Sequence, residues 1–576
     1  MKNSLTIKAK QSKAKQSKAK QSKATYCFNF DFITTIKKKY NYLCDKYSLT
    51  IWGDFWNNVP ENLLLDDFSI DELQKLNFDG AYLACYQDFT RKECLVLRGH
   101  ADVWPFFYCV EGNNIIFADD FYSLAKRFKT LTINKDSVAD YFEVAWNNIL
   151  KWDRTPFTEI HVLPAWTYMD SNFKIQSWKK LDTEIKFNEH NLEEFKKKFF
   201  ECMDFYLQKI HEKGQKIAFS VSSGIDSNAL AARYVQLYPD DDLKFYTSKI
   251  DDFTDESTLS VKMESVLHKP IILVNIKTNT FNYLELMKNH IDKNLPPSSN
   301  GVLNEGILCN ELLKMNLNMT TVNGMGADGR FGEFGGEYLY LMHGFIKKLN
   351  LLKAYRIYKS VMVSFSDFNY KKDGDSVLLM NFTIMLAKNL IRKFVPISIH
   401  KRKNQYNKAD SLLKISLPTC ASQNIKNHKD SINYASQSGE VRDINIEFIK
   451  RGIKAIFPYV GYKFYQLSEN CDPFIFSDRV NKSCERHAVS NLLPNEIINN
   501  VKKIANPAMS LSKALSANNN LEIIIKYIKN RKSILVNTEQ LLENFKSQNY
   551  DQREFLALSL LIFEEKINQM GININL

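Results

Sequence analysis

The chain has 576 residues, of which 44% are hydrophobic, 13% aromatic and 25% charged, and this composition excludes a wholly disordered or collagen-like protein. Its formal net charge is +12, but eight lysines lie in residues 1–24, which leaves +4 on the other 552 residues and gives no support for binding to nucleic acid. Because no apolar run reaches about 18 residues, we expect no membrane-spanning helix.

The N-terminal segment is a lysine-rich repeat, since residues 8–22 carry the sequence KAKQS three times. Uniform positive charge without an apolar period gives no basis for a packed core, so we predict that residues 1–24 are disordered. The segment lacks the apolar stretch of a signal peptide, and the ten cysteines show neither a CxxC pair nor zinc-binding spacing. These features predict a cytoplasmic protein whose cysteines are small buried apolar residues.

Residues 25–185 are predicted to form a sheet-rich domain. Short apolar runs separated by polar or turn-forming residues are typical of strands, and they occur here at Ala81–Cys85, Cys94–Leu97, Phe106–Val110 and Ile115–Ala118. The last two runs flank Glu111–Asn114, which predicts a β-hairpin.

From residue 190 to residue 576 the pattern is that of an α/β domain. Strand-like and helical segments alternate, which predicts a parallel sheet. The predicted strands are Lys216–Val221, Leu243–Ser248, Pro270–Ile276 and Thr320–Asn323, and the predicted helices are Glu193–Lys213, Ser227–Leu237 and Ser257–Leu267. After about residue 340 the chain is predicted to be mostly helical, with the polar stretch 401–450 as a loose insertion.

The segment Ser222–Ser227 carries the strongest chemical signal, because it joins an apolar strand to the first turn of a helix. Small residues let backbone N–H groups approach an anion, and the helix N-terminus favours negative charge. Asp226 would repel phosphate unless Mg²⁺ lies between them. The alternative is that Asp226 or Ser227 only caps the helix.

Several segments of the chain resemble the asparagine synthetase family. Val221–Asn228 resembles the family's pyrophosphate loop, Ser-Gly-Gly-Leu-Asp-Ser, and Asn323–Glu333 resembles its Ser-Gly-Glu-Gly-Ala-Asp-Glu-Leu-Phe-Gly-Gly segment. Further resemblance to the synthetase domain is found at Phe245–Ser248, Asp255–Ser257, Lys482–Arg486 and Leu493–Pro494, and to the glutaminase domain at Leu76–Tyr82, Leu97–Arg98, Pro105–Tyr108 and Phe117–Phe121. The resemblance extends over residues 70–515.

The resemblance implies an α/β fold: a parallel-sheet synthetase domain like that of the adenine-nucleotide alpha-hydrolases, with C-terminal helices and a preceding β-rich, degenerate glutamine-amidotransferase-like domain. It also implies a carbon–nitrogen ligase that activates a carboxylate with ATP and Mg²⁺ through an acyl-adenylate. The implied nucleotide-binding residues are Ser222, Ser223, Gly224, Asp226, Ser227, Ser248, Asn323 and Gly324. The implied metal ligands are Asp226 and Asp328, and the implied catalytic residues are Lys502 and Arg486.

The chain departs from the family on the acceptor side and in the glutaminase segment. Met325 stands where the family has an acid that handles protons, and Gly329 replaces the acid after the aspartate. Position 2 is lysine rather than the family's cysteine nucleophile, and Cys27 is followed by a phenylalanine instead of a small residue. We therefore expect no glutamine hydrolysis.

Three functions stay open at this point. The first is an ATP-dependent amide ligase whose acceptor is aspartate, a sugar acid or a peptide side chain. The second is a peptide macrocyclase similar to the lasso-peptide cyclases, and the third is an inactive homologue that binds nucleotide or a partner protein. We expect a small-molecule or peptide carboxylate as substrate, with the amine donor, the role of the lysine repeat and the choice between monomer and homodimer undetermined.

Overall fold

The computed structural model describes residues 4–6, 29–33, 39–43, 45, 47–56, 78–91, 93–101, 103–112, 114–143, 154–178, 184–250, 257–277, 281–297, 300–317, 319–332, 337–365, 370–394, 411–414, 439–501 and 515–576. Over these residues the protein is a mixed α/β structure that contains a five-stranded parallel sheet, as the sequence predicts. None of the helices found there is long and apolar enough to cross a membrane.

The strands within the described ranges are, in chain order, β1 (Ser4–Thr6), β2 (Asn29–Ile33), β3 (Lys39–Leu43), β4 (Tyr47–Phe55), β5 (Gly80–Asp88), β6 (Glu93–Arg98), β7 (Phe107–Glu111), β8 (Asn114–Ala118), β9 (Thr130–Thr132), β10 (His161–Val162), β11 (Thr167–Met169), β12 (Ile175–Ser177), β13 (Ile217–Ser220), β14 (Leu243–Ile250), β15 (Ile271–Ile276), β16 (Thr320–Val322), β17 (Ala455–Ile456) and β18 (Asn573–Asn575).

The α-helices of the same ranges are α1 (Phe121–Ala125), α2 (Lys135–Glu143), α3 (Leu192–Glu212), α4 (Ile225–Leu237), α5 (Ser257–Ser260), α6 (Glu264–Leu267), α7 (Tyr283–Ile291), α8 (Asn300–Lys314), α9 (Asp328–Phe331), α10 (Glu337–Lys347), α11 (Leu351–Phe365), α12 (Tyr370–Phe394, with non-helical backbone at Gly374), α13 (Gly439–Lys450), α14 (Tyr462–Glu469), α15 (Ser483–Ala488), α16 (Asn495–Ile498), α17 (Asn520–Lys529), α18 (Thr538–Lys546) and α19 (Gln552–Gln569). Short 3₁₀-helices lie at Val261–Met263, Pro458–Val460 and Pro473–Phe476.

Two sheets form the first part of the chain and pack face to face. The first has the strand order β1-β2-β8-β7-β10, and the second has the order β12-β11-β6-β5-β4-β3 with antiparallel pairing throughout. Alternate residues point to opposite faces of a strand, so Tyr108 and Phe117 enter the core between the sheets while Cys109 and Ile116 enter a core on the other side of the first sheet. The predicted hairpin is confirmed, since β7 and β8 are antiparallel with Glu111 opposite Asn114.

The predicted parallel sheet is confirmed, with the strand order β15-β14-β13-β16-β17. Its strands β13, β14, β15 and β16 lie within one or two residues of the predicted bounds. The predicted continuous helix Ser257–Leu267 is wrong, because a 3₁₀ turn separates α5 from α6. Ser265 bonds the carbonyl of Lys262 there, and serine side chains that bond nearby backbone compete with regular helix.

The two parts of the chain share one apolar core. The capped C-terminal helix α19 places Phe563 5.7 Å from the ring of Phe121 and 5.8 Å from that of Phe157. Strand β18 pairs in parallel with β9, so Asn573 lies opposite Thr130. Contacts between residues far apart in sequence therefore join the sheet-rich part to the α/β part.

The prediction that residues 1–24 are disordered is wrong at Ser4–Thr6, because these residues lie before the first lysine repeat and pair with β2. Residues 7–28 lie outside the described part of the chain. The prediction of a loose insertion over residues 401–450 is wrong at α13, because Glu447 and Phe448 of this helix are buried. Residues 401–410 and 415–438 lie outside the described part of the chain. The expected burial of cysteines is confirmed for Cys85, Cys94, Cys109, Cys202, Cys309, Cys471 and Cys484.

Candidate functional site

The candidate site lies at the carboxyl ends of β13 and β16, two neighbouring strands from which the parallel sheet extends in opposite directions. Strands β14 and β15 follow on one side and β17 on the other. The chain after β13 forms the predicted loop and α4, and the chain after β16 forms the second predicted loop and α9. In open α/β sheets, ligands bind in the crevice at such a reversal of strand order.

The first loop is stabilised by Asn228, a fully buried side chain in the first turns of α4. Its amide Nδ2 donates to the carbonyls of Ser222 and Gly224, both at 2.7 Å, and the Ser222 N–H approaches its Oδ1 at 3.4 Å. The hydroxyls of Ser222 and Ser227 lie 3.0 Å apart. Since no side chain caps α4 at Gly224, the fold presents the first turn of this helix next to two hydroxyl groups.

The second loop packs directly on the first turn of α4 because residue 324 is glycine. A Cβ at Gly324 would lie 2.5 Å from the backbone nitrogen of Ser227 and 2.9 Å from the carbonyl carbon of Asp226. Asn323 lies beside them, where its N–H donates to the carbonyl of Ile456 at 3.0 Å. The glycine therefore brings two segments about one hundred residues apart in sequence into backbone contact.

A buried lysine joins the two loops. The Nζ of Lys482 forms ion pairs with Oδ2 of Asp226 and, at 2.7 Å, with Oδ1 of Asp328. Its side chain is only 8% exposed. Burial alone would lower the pKa of Lys482, but the two carboxylates together outweigh burial, so the pKa is raised above its ordinary value and the lysine stays charged at neutral pH.

A hydrogen-bonded pair of buried acid and phenol lies behind Asp226. The hydroxyl of Tyr459 donates to Oε1 of Glu485 at 3.0 Å and lies 3.4 Å from the backbone carbonyl of Asp226. Desolvation, and then the charge of Asp226, raise the pKa of Glu485 well above its usual range. Arg330, also buried, donates to the carbonyl of Tyr459 at 3.2 Å and so stabilises the segment that carries the phenol.

Arg486 contacts backbone rather than the crevice. Its guanidinium donates to the carbonyls of Asn481, Ile498 and Asn500 at 2.9, 2.6 and 3.2 Å. The side chain of Asn500 in turn donates to the carbonyl of Ser223 at 3.0 Å. Arg486 is thus placed to position the first loop through Asn500. Lys502 lies outside the described residues.

The remaining predicted residues occupy different places. Ser248 lies half-buried in β14, the strand next to β13. Met325 packs against the apolar core, and its N–H donates to Oδ1 of Asn323 at 2.9 Å. Gly329 is buried in α9. The structure therefore brings Ser222, Ser223, Gly224, Asp226, Ser227, Asn323, Gly324 and Asp328 together at one crevice.

The two carboxylates fit a magnesium ion that also binds phosphate. One lysine nitrogen reaches an oxygen of each, so a single cation can contact both Asp226 and Asp328. The second oxygen of Asp226 is buried without a hydrogen-bond partner among the described residues. Among the described residues, no group of three or more histidine, cysteine, aspartate or glutamate side chains is arranged to bind a metal ion. Two carboxylates completed by phosphate oxygens and water are the usual environment of Mg²⁺.

Sequence reasoning missed several residues of the site, among them Asn228, Tyr459, Lys482 and Glu485. Asn228 was detectable as a polar residue directly before the apolar run Ala229–Ala232. Lys482 and Glu485 belong to a segment that resembles a family motif, but local sequence does not reveal that it packs against residues 226 and 328. Comparison with models of known protein families finds no match for this chain, and comparison with curated proteins finds none either.

Replacing Tyr459 with phenylalanine should lower the free energy of unfolding by about 1–2 kcal/mol, because it removes the donor to a buried carboxyl group. Urea denaturation measures this change. Tyr283 supplies the matched control, since it is equally buried but its hydroxyl has no hydrogen-bond partner among the described residues. Tyr283→Phe should not lower stability, because it removes a hydroxyl that is buried without a partner among the described residues. Equal losses in both variants would show that the bond to Glu485 contributes nothing.

Proposed function

We propose that this chain is an ATP-dependent ligase of the asparagine synthetase type, which forms an acyl-adenylate and pyrophosphate and then an amide bond. The observation that carries the proposal is the convergence of Asp226 and Asp328 on one buried cation at the strand-order reversal of a parallel sheet. A crevice of this kind binds nucleotides in open α/β folds. The two loops concerned are those that resemble the family's pyrophosphate and Gly-Ala-Asp segments.

In the proposed reaction, the first loop binds the phosphates of ATP. The hydroxyls of Ser222 and Ser227 and the first-turn N–H groups of α4 donate to phosphate oxygens. Asp226 and Asp328 would hold Mg²⁺, and a metal ion bound there would supply positive charge to the phosphate groups. Ser248 and Asn323 contact the adenosine side, and Lys502 stabilises the developing negative charge. Arg486 is a positioning residue, because it acts on the loop through Asn500.

The acceptor amine is proposed to differ from ammonia released by glutamine. Met325 packs against the apolar core at the position where the family has its acid, so this side chain accepts no proton. In the proposed reaction the proton of the attacking amine leaves through water or through the substrate. A peptide or small-molecule amine, as in the lasso-peptide cyclases, suits such a site.

The sheet-rich part of the chain is proposed to be a degenerate amidotransferase-like scaffold. Its two sheets pack face to face around Trp52, Leu83 and Phe117. It also bonds the α/β part: the phenol of Tyr206 donates to Oδ2 of Asp79 at 2.5 Å, and the N–H of Tyr462 donates to Oδ1 at 3.1 Å. These bonds give this part a structural role that needs no glutamine hydrolysis.

Nucleotide binding and product analysis test the proposed function. MgATP should bind to the protein, and turnover with a panel of amino acids, peptides and sugar acids should yield AMP and pyrophosphate. Gly324→Ala should weaken MgATP binding on the order of tenfold or more, because the new methyl group displaces the backbone of Ser227. Gly344→Ala is the control, since it lies in a helix with nothing within 4 Å of the added Cβ. ADP and orthophosphate as products would contradict the proposal.

A further inference from the structure

We propose, on the basis of the proposed ATP site, that Lys482 and a divalent cation compete for the same two carboxylates. When the metal binds Asp226 and Asp328, Lys482 releases them and its ammonium moves to the phosphate oxygens of the nucleotide. Lys482 is then a positioning residue that couples metal binding to nucleotide binding.

The contacts of Lys482 place it at the centre of the site. Its nitrogen pairs with one carboxylate from each loop, so it occupies the region within reach of both. Its backbone is in the left-handed region, with φ 58° and ψ 38°, at the start of α15. Such a conformation is unfavourable for a residue with a side chain, and here it directs the lysine toward two acids more than 150 residues upstream.

Charge balance explains why the two cations compete. Asp226 and Asp328 carry two negative charges, and Lys482 neutralises one of them. A divalent metal that binds both carboxylates neutralises both of their charges. The ammonium group of Lys482 then lies next to the metal cation and no longer has an unneutralised carboxylate to pair with. Like charges at this separation repel strongly in a partly buried site. Triphosphate supplies the new anion, so nucleotide and metal should bind cooperatively.

Binding of Mn²⁺ alone, followed by electron paramagnetic resonance of the free ion, tests the competition. Lys482→Met removes the competing charge and should bind Mn²⁺ roughly tenfold or more tightly than wild type. Lys526→Met, at an exposed lysine of α17, should leave the affinity unchanged. Adding Asp226→Asn to Lys482→Met should abolish the gain. Unchanged or weaker Mn²⁺ binding in Lys482→Met would overturn the inference.

A second measurement separates this inference from the proposed function. Lys482→Met should bind MgATP more weakly than wild type even though it binds Mn²⁺ more tightly, and a lysine with a purely structural role would not give these opposite signs. If wild type binds no nucleotide, the proposed function fails, whereas the Mn²⁺ result still decides the competition. If Lys482→Met unfolds in metal-free buffer, millimolar Mg²⁺ should restore its melting temperature, and failure to do so would contradict the competition.

Discussion

Replacing Asp226 with asparagine should lower the rate of pyrophosphate release from MgATP on the order of 10²–10³-fold, because the change removes a charged metal ligand from the transferring phosphate groups. The substitution keeps the size of the side chain and lies at the start of α4, so the fold should survive. The measurement is pyrophosphate release with a carboxylate substrate found among the amino acids, peptides and sugar acids, alongside MgATP binding by calorimetry.

Asp240→Asn is the matched control for this prediction. Asp240 follows α4 at its other end, where its side chain is exposed. The two variants change charge equally, but only Asp226 lies at the crevice and pairs with Lys482. Pyrophosphate release that is the same in Asp226→Asn and Asp240→Asn would exclude Asp226 from the chemistry.

Replacing Gly461 with alanine should lower the free energy of unfolding by about 3 kcal/mol or more, because the added methyl group overlaps a buried aromatic ring. A Cβ at Gly461 would overlap the Cζ atom and the hydroxyl oxygen of Tyr206, far inside van der Waals contact. That phenol is fixed in place, since it donates to Asp79 and accepts the N–H of Lys463 at 2.9 Å. Urea denaturation monitored by circular dichroism measures the loss.

A double variant tests whether the loss of stability in Gly461→Ala comes from overlap with the Tyr206 ring or from another effect of the substitution. Tyr206→Leu removes the ring and makes room for the methyl group, although it costs stability by itself. If the overlap is the cause, the loss in Gly461→Ala combined with Tyr206→Leu is smaller than the sum of the two single losses. Additive losses would contradict the explanation, since residues in contact are expected to couple.

The fold was predictable where a local pattern determines structure. The apolar residues of β7 and β8 form continuous runs because each strand is buried on both faces, with successive residues entering the two cores in turn. The apolar period of α3 comes from one buried face that includes Phe195, Phe199 and Tyr206. The break between α5 and α6 was missed because local serine bonds override the apolar period.

The candidate site was predictable only in its loops. Ser222–Ser227 and Asn323–Asp328 each follow a strand that the sequence predicts, so their chemistry can be seen in sequence. The lysine between them comes from residue 482, and the phenol–acid pair joins residues 459 and 485. These partners meet through tertiary packing, which no periodicity of the sequence encodes. A lone lysine such as Lys482 is more often a solvated residue, and its burial distinguishes it only in the folded protein.

Because β9 pairs with β18, the sheet-rich part of the chain cannot complete its contacts until the C-terminus has been synthesised. Asn573 and Thr130 are 443 positions apart, so at typical translation rates the ribosome needs roughly 20–90 s to make the second partner after the first. During that interval Phe121 and Phe157 lack the Phe563 ring that packs on them in the finished protein. The nascent sheet-rich part therefore exposes an apolar face to water, and chaperones that bind such faces have time to act on it before α19 arrives.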